Sequence, residues 1–513
     1  MIAPTRRLPV AATAALLALL GAAAVPAGPT TAPAPSVTAV VSLVADAGRA
    51  VLAGVRVVSE FPALSAAVVS GTPAQLAVLR GRPGVRSVVA DYALRPTGHE
   101  DEAGGSVYAT EGLGGSGRDD AGSGVTVAVM DTGVSDTPAL NRASGRLLDG
   151  LDASGDGSFT DGYGHGTFMA NLVAGGEAPG SAGESIGVAP GSTVVNVKVA
   201  DDDGNTSLSQ VMAGMSYVYT FRQHIDVVEF AFSGDRPGEA YGPDPLTDAV
   251  ERLRAGGLVV VVPSGNESGQ LGDPGFDPYA LTVGAADTRD GKPEVADFSG
   301  YGDVHGVTKP DVLAAGVGVL SLLPADSLLA VQNPAARQPN GLYRGSGTSQ
   351  ATAVTAGVAA MFLQEHPGAS PAEVKASLRS AAKRVRGVGA GEGLVRTTSR
   401  LVDPGKLTGS HNGTGEESLD TDAWGSNSWL DGAWVEPNAQ AWRAQRWHGD
   451  GWLAQSWRAQ RWLGLTWDAQ SWKAQGWHAQ GWRGVEWDAQ GWRAQGWRAQ
   501  GWRAQRWGAA QWS

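Results

Sequence analysis

The 513-residue chain contains no cysteine, which excludes a disulfide framework, a thiol nucleophile and a cysteine-held metal. Its stability has to come from a hydrophobic core, and a domain of about 280 residues is large enough to build one. Tryptophan is absent before residue 424, although the chain has 18 of them. After the first 27 residues no apolar run reaches the roughly 18 residues that a membrane-spanning helix needs. No recognition module supports a specific nucleic-acid partner, and the net charge of the whole chain is −12.

What the chain does contain falls into blocks. Arg6-Arg7, the apolar stretch from Leu8 to Val25 and the small residues up to Ala27 read as a secretory signal peptide over 1–27, cut near Ala24 or Ala27. An uncleaved anchor is the alternative. Residues 36–95 read as a small unit of four strands, Val37 to Val44, Val55 to Glu60, Leu64 to Val69 and Val85 to Ala90. A helix fits Pro73 to Arg80, with Thr72 as its cap, Gln75 completing a capping box and Gly81 ending it. With a weaker helix near Asp46 to Leu52, the order is βαββαβ, a ferredoxin-like α+β unit. A polar, glycine-rich junction follows over 96–124.

Three short segments then occur in one order: Asp131-Thr132-Gly133, Gly164-His165-Gly166-Thr167 and Gly347-Thr348-Ser349. They supply a carboxylate, an imidazole and a hydroxyl. A serine hydroxyl is a weak nucleophile until a base takes its proton, and that base needs a carboxylate to fix its tautomer. Asp131 ends the apolar run Val125 to Met130, so it stands at the carboxyl end of a buried strand. His165 opens a helix over Thr167 to Ala174. Ser349 starts the small-residue run Gln350 to Leu363, where a helix start offers free backbone donors. Leu258 to Val262 reads as a further strand, followed by Pro263-Ser264-Gly265-Asn266. An amide at that strand end can donate to a developing oxyanion. Taken alone, each segment is an ordinary glycine turn.

Together with Gly187-Val188-Ala189-Pro190 and Lys309-Pro310-Asp311-Val312, these segments resemble the subtilisin-like serine proteases over roughly Gly124 to Val395. The resemblance implies Ser349 as nucleophile, His165 as general base and then acid, Asp131 as its orienting carboxylate and Asn266 as oxyanion donor. It implies a doubly wound, mostly parallel α/β catalytic domain over 125–400, with protein or peptide substrates. It also implies that residues 36–95 are an inhibitory propeptide, which makes the enzyme's own propeptide a partner and the enzyme a zymogen. Two segments depart from the family pattern. Ala353 stands where a proline is usual four residues after the serine. The strand after Asp226-Val227-Val228 reads Glu229-Phe230-Ala231-Phe232-Ser233 in place of Asn-apolar-Ser-apolar-Gly. No cofactor is expected. Calcium is common in the family, but the acidic loop Asp201-Asp202-Asp203-Gly204-Asn205 lacks a glycine at its sixth position and has Met212 at its twelfth; it reads as a solvated turn.

After a linker over 401–423, the tail 424–513 holds every tryptophan, and from Trp442 they recur every five residues, mostly as Trp-x-Ala-Gln-x. Five is neither a helical nor a strand period, so a repetitive coil or a run of short strands is expected, with disorder as the alternative. Ten Lys or Arg against six Asp or Glu give this tail +4, leaving −16 on the rest of the chain. Tryptophan faces and arginines suit cell-envelope polymers, whereas a self-packed repeat needs no ligand. The expectation is therefore a secreted serine endopeptidase with an envelope-associated tail. Its rivals are an inactive protease fold that works through its tail and a dedicated processing protease with few substrates.

Overall fold

The structure is a computed structural model and describes residues 35–44, 47–99, 105–113, 119–177, 184–234, 244–304, 307–398 and 401, with the backbone of strand segments between 433 and 509. The expected leader and all but the first residue of the expected linker lie outside the described residues.

The first unit is a four-stranded antiparallel sheet of β1 (Val37–Leu43), β2 (Arg56–Phe61), β3 (Ala66–Gly71) and β4 (Val85–Ala90), ordered β2-β3-β1-β4. Helix α1 (Pro73–Arg80) joins β3 to β4. It starts where the sequence places it, with Thr72 and Gln75 exchanging side-chain and backbone hydrogen bonds. Of the helix expected near Asp46 to Leu52, Asp46 lies outside the described residues, and the described part is only a 3-10 turn, Arg49–Leu52. Gly48 brings no side chain to cap it, and Gly54 reverses the chain at φ 87° soon after. Beyond β4 the chain continues in two short strands, β5 (Ala93–Pro96) and β6 (Gly98–His99).

The main body is built on β7 (Thr126–Asp131), β8 (Leu147–Asp152), helix α2 (His165–Ala174), β9 (Thr193–Lys198), the short β10 (Thr206–Ser207), helix α3 (Leu208–Thr220), β11 (Val227–Phe230), the short β12 (Phe232–Ser233), helix α4 (Pro245–Ala255), β13 (Val259–Pro263) and β14 (Leu281–Asp287). There follow β15 (Glu294–Val295), a β16–β17 hairpin (Gly302–Val304, Val307–Lys309), β18 (Val312–Ala315), β19 (Val319–Ser321), α5 (Leu328–Gln332), β20 (Tyr343–Gly347), α6 (Thr348–Glu365) and α7 (Pro371–Ala381). The central sheet runs β8-β9-β7-β11-β13-β14-β18, every neighbouring pair parallel, with β15 antiparallel on β14.

Its strands are nearly continuous apolar runs because both faces are covered. Val127, Val129, Val227, Val259 and Val261 point to the side of α2 and α6. Ala128, Met130, Val228, Phe230 and Val260 point to the side of α3 and α4. The order reverses at β7, which has β9 on one side and β11 on the other. Open α/β sheets leave a crevice outside the carboxyl ends of their strands at such a point.

The first unit packs on α3 and α4. Val40, Phe61, Leu64, Ala66 and Val68 share an apolar cluster with residues of those helices. Arg86 pairs with Asp248 of α4 at 2.8 Å, both buried, and the Ser42 hydroxyl also donates to Asp248. Burial pushes the Asp248 carboxyl up to about 6 against the pull of Arg86. Asp91 accepts from the backbone N–H and the hydroxyl of Ser209 at the start of α3.

In the tail, three-residue strands such as Trp472–Ala474 and Trp477–Ala479 alternate with longer ones such as Arg461–Ala469 and Trp482–Ala489. They pair in parallel with the strand one turn later, Trp462 opposite Trp482 and Trp482 opposite Trp502. The same twenty-residue offset pairs Trp472 with Trp492 and Trp477 with Trp497. Four pentads thus make one turn of a parallel coil, an arrangement in which each turn is covered by its neighbours.

A buried ionic group ties the far strands together. Lys309, with no exposed surface, donates to the Ala280 carbonyl, the Thr282 hydroxyl and the Asp311 carboxylate. Lys375 and Arg379 of α7 lie 3.3 and 3.7 Å from the same carboxylate. Desolvation opposes ionisation of Asp311, but Lys309, Lys375 and Arg379 outweigh it and hold the carboxyl well below its usual range. Asp311→Asn should destabilise the fold by about 3–5 kcal/mol, because it leaves Lys309 buried without its anion. The depressed folded value means that the wild-type advantage is full above the unfolded carboxylate pKa and fades as pH falls below it. Denaturant midpoints of the two proteins at neutral and acid pH check both statements; equal midpoints at neutral pH would remove the anchoring role.

Candidate active site

Asp131 is the last residue of β7 and has no exposed surface. One of its oxygens accepts the Thr132 N–H at 2.7 Å, and both lie 2.9 Å from His165 Nδ1. His165 is the first residue of α2 and is 3% exposed. Gly164 before it has φ 105°, a left-handed conformation that favours glycine, and this turn starts the helix with the imidazole facing Asp131. The carboxylate and the imidazole are therefore joined, with Nδ1–H as donor.

A fully buried aspartate holds this pair in place. Asp161 accepts from the Gly164 N–H at 2.6 Å, the Thr167 N–H at 2.7 Å and the Thr132 hydroxyl at 2.8 Å, and that hydroxyl in turn accepts the Gly166 N–H. Burial pushes the Asp161 carboxyl up, opposed by these bonds. One side chain thus links the residue after Asp131 to the residues flanking His165. The sequence carries a faint signal for it, an acid four residues before the histidine in Asp161-Gly162-Tyr163-Gly164-His165.

Ser349 is the second residue of α6 and is fully buried. Its hydroxyl lies 3.1 Å from the Ala231 carbonyl and 2.6 Å from the Thr97 hydroxyl. His165 Nε2 has no hydrogen-bond partner among the described residues. The structure thus brings Asp131 and His165 into contact and does not join His165 to Ser349. Asn266, three residues beyond the end of β13, accepts the Thr348 N–H and hydroxyl through its side-chain oxygen at 3.0 and 2.8 Å, which aims its amide NH2 into the crevice. Phe232, at the altered strand, meets the His165 ring edge-on at 6.4 Å between centroids and stacks on Phe230. Ala353 is buried in α6 just beyond Ser349.

The crevice is filled by the chain itself. Strand β5 lies antiparallel to β12 on one side, Pro96 opposite Phe232, and to β10 on the other, Leu94 opposite Thr206. Strand β6 then pairs with β20, Gly98 opposite Gly347. Gly347 has φ 150°, and a Cβ there would collide with the Thr97 carbonyl oxygen, so the close approach depends on glycine. Thr97 stands between the two short strands. Its N–H donates to the Ala231 carbonyl at 3.1 Å. Its carbonyl oxygen accepts from the Asn266 amide at 2.7 Å and from the Ser349 N–H at 3.4 Å. Leu94 is fully buried and Thr97 is 6% exposed, while Ala93 and Arg95 face solvent.

This arrangement places a peptide carbonyl between two donors, one a side-chain amide and one a backbone N–H at a helix start, beside a serine hydroxyl and an oriented imidazole. Those are the parts of acyl transfer through a covalent serine intermediate. The acidic loop does other work: Asp201 accepts from the Asp203 and Asn205 backbone, and Asp202 pairs with Lys198 at 2.6 Å. Among the described residues no three or more His, Cys, Asp or Glu side chains are grouped to hold a metal ion.

Comparison with known proteins is consistent with this geometry. The peptidase S8 model, described as the subtilase family, matches residues 122–413. Serine protease AprX of Bacillus subtilis is 35% identical over 274 residues, half of this chain and 61% of that protein. Subtilisin Savinase of Lederbergia lenta is 31% identical over 262 residues, 51% of this chain and 84% of that protein. The crystal structure of fervidolysin from Fervidobacterium pennivorans, described as a keratinolytic enzyme related to subtilisin, superposes with a TM-score of 0.55 at 23% identity, over 71% of this chain and 61% of that one. It supports the fold. The chain spans about three fifths of the length of AprX.

Asp161→Asn, compared with its parent in a Ser349→Ala background, should lower stability by about 1–3 kcal/mol, since an amide nitrogen replaces one acceptor oxygen and leaves a buried donor unanswered. Urea denaturation measures it, and an unchanged midpoint would mean that Asp161 does not hold the Asp131–His165 pair.

Proposed function

The chain belongs to the subtilase family, and we propose that it is a serine endopeptidase made as a self-inhibited precursor and exported from the cell. The observation that carries the reading is Thr97, whose carbonyl oxygen accepts from the Asn266 amide and the Ser349 N–H and whose hydroxyl lies 2.6 Å from the Ser349 hydroxyl. In the proposed reaction His165 Nε2 takes the Ser349 proton as Oγ attacks a substrate carbonyl carbon. Asp131 keeps the proton on Nδ1 and stabilises the imidazolium. Asn266 and the Ser349 N–H receive the negative oxygen, a contribution of about 3–4 kcal/mol per donor in comparable sites. The imidazolium then protonates the departing amine, and water, activated by the same His165, releases the acyl group from Ser349. Substrates are protein or peptide chains that add a strand between β10 and β12, as β5 does. Before the first attack the Ser349 hydroxyl has to turn from Ala231 and Thr97 toward Nε2.

On this reading residues 36–97 are the propeptide, and Thr97–Gly98 is the bond the enzyme cuts in itself. The amino-terminal sequence of the secreted wild type should begin at Gly98, whereas Ser349→Ala should keep the upstream residues attached. Wild type and variant starting at the same residue would remove the zymogen reading. A wild-type start elsewhere in the 96–124 stretch would move the scissile bond.

We further propose that the tail holds the enzyme at anionic cell-envelope polymers. The in-register coil repeats its basic positions from turn to turn, as in Lys473 opposite Arg493 and Arg483 opposite Arg503. Adjacent like charges are unfavourable unless an anion answers them. Deleting residues 408–513 should leave peptide hydrolysis nearly unchanged and release the enzyme from envelope preparations into the medium, and added salt should release the full-length form. Identical partition of both forms would make the tail a self-packed stabilising repeat instead.

A further inference from the structure

Glu229 lies within β11, fully buried, and neither carboxylate oxygen has a hydrogen-bond partner. It is not a member of the proposed triad or of the donor pair. In the β11–β7 register Glu229 is opposite Val129, two residues before Asp131. With a strand period of two, Glu229 and Asp131 share one face of the sheet. That face also carries Val227 and Ala231, and it is covered by α2 and α6, the helices that begin with His165 and carry Ser349 at their start.

The surroundings offer nothing to answer a negative charge there. Strand β7 contributes Asp131 as its ionisable group, α2 contributes His165, and β13 contributes none. Helix α6 has no ionisable residue from Thr348 to Gln364. A carboxylate out of water with no donor and an anion nearby is strongly disfavoured, so the group keeps its proton. Burial first, and the Asp131 charge second, push the Glu229 carboxyl well above the usual range.

We propose that Glu229 is a positioning residue that sets the alkaline limit of this active site. As a neutral acid it leaves Asp131 as the one anion beneath His165. When it gives its proton to solvent at high pH, the new charge has to reach water, and the packing of β11 against the start of α6 that seats Ser349 is lost. The inference rests on the protease reading for its effect on turnover, but not for its effect on stability.

The sign follows from linkage. The folded chain holds a proton at Glu229 that the unfolded chain releases, so stability falls as pH rises above the unfolded carboxylate pKa. Full-length Ser349→Ala and Ser349→Ala/Glu229→Gln should be compared in urea between about pH 5 and 9. The ratio of their unfolding constants should change by up to about tenfold per pH unit, with the glutamine form gaining as pH rises. In the active background, Glu229→Gln should move the alkaline limb of kcat up by about one pH unit or more, with no matching shift in KM. Glu229→Asn, equally neutral, runs alongside and carries the test if the glutamine form does not fold. Parallel stability curves would overturn the buried neutral acid. Diverging curves with an unmoved alkaline limb would overturn the positioning role. Absence of any peptidase activity would instead count against the protease reading and leave the stability comparison to judge Glu229's protonation.

Discussion

A carboxylate removed from water has to be answered by donors, and Asp131 makes that demand at the point where the sheet order reverses. The Thr132 N–H and His165 Nδ1 answer it. The position of His165 then depends on Gly164, whose left-handed turn starts α2, and on Asp161, which binds the loop before the helix and its first turn. The apolar strands around β7 make this exacting, because they exclude the water that would otherwise solvate a misplaced oxygen. Burial and hydrogen bonding act here in opposition, and the geometry is fixed where they balance.

Each of the four expected site residues occupies the local setting that the sequence displays: a strand end for Asp131, a glycine-flanked helix start for His165, a helix start for Ser349 and a turn after a β-branched run for Asn266. The contact between Asp131 and His165 is visible in the sequence only through the order of the segments. Thr97 could not be singled out in that way. It lies in what reads as a polar junction, and its place follows from the pairing of its neighbours with β12, β10 and β20, all more than a hundred residues further on. Asp161 was hidden because an aspartate in a glycine-rich loop looks like a solvated turn until its three donors are seen. Glu229 stood out as a departure from a pattern, but its lack of partners is a property of packing. The helix expected near Asp46 failed through its ends, a case where pattern suggested an element that the caps do not support.

The first unit and the main body share more than the crevice. The first unit buries apolar residues against α3 and α4, and Arg86 reaches the buried Asp248. Two contact regions, one broad and apolar and one narrow at the cleft, hold the same stretch of chain. A break in the chain at the narrow contact would leave the broad one in place.

The twenty-residue offset of the tail strands also constrains how such a tail can change length. From Trp442 onward, loss or gain of twenty residues leaves the register of the described strands unchanged, with tryptophan opposite tryptophan as Trp462, Trp482 and Trp502 are now. Loss of a single pentad keeps the sequence pattern intact but advances all later pentads by a quarter turn, moving the basic positions to a different side of the coil. Replication slippage in a DNA repeat of this kind would therefore be sieved by geometry, with whole-turn steps neutral and single-pentad steps remodelling the surface.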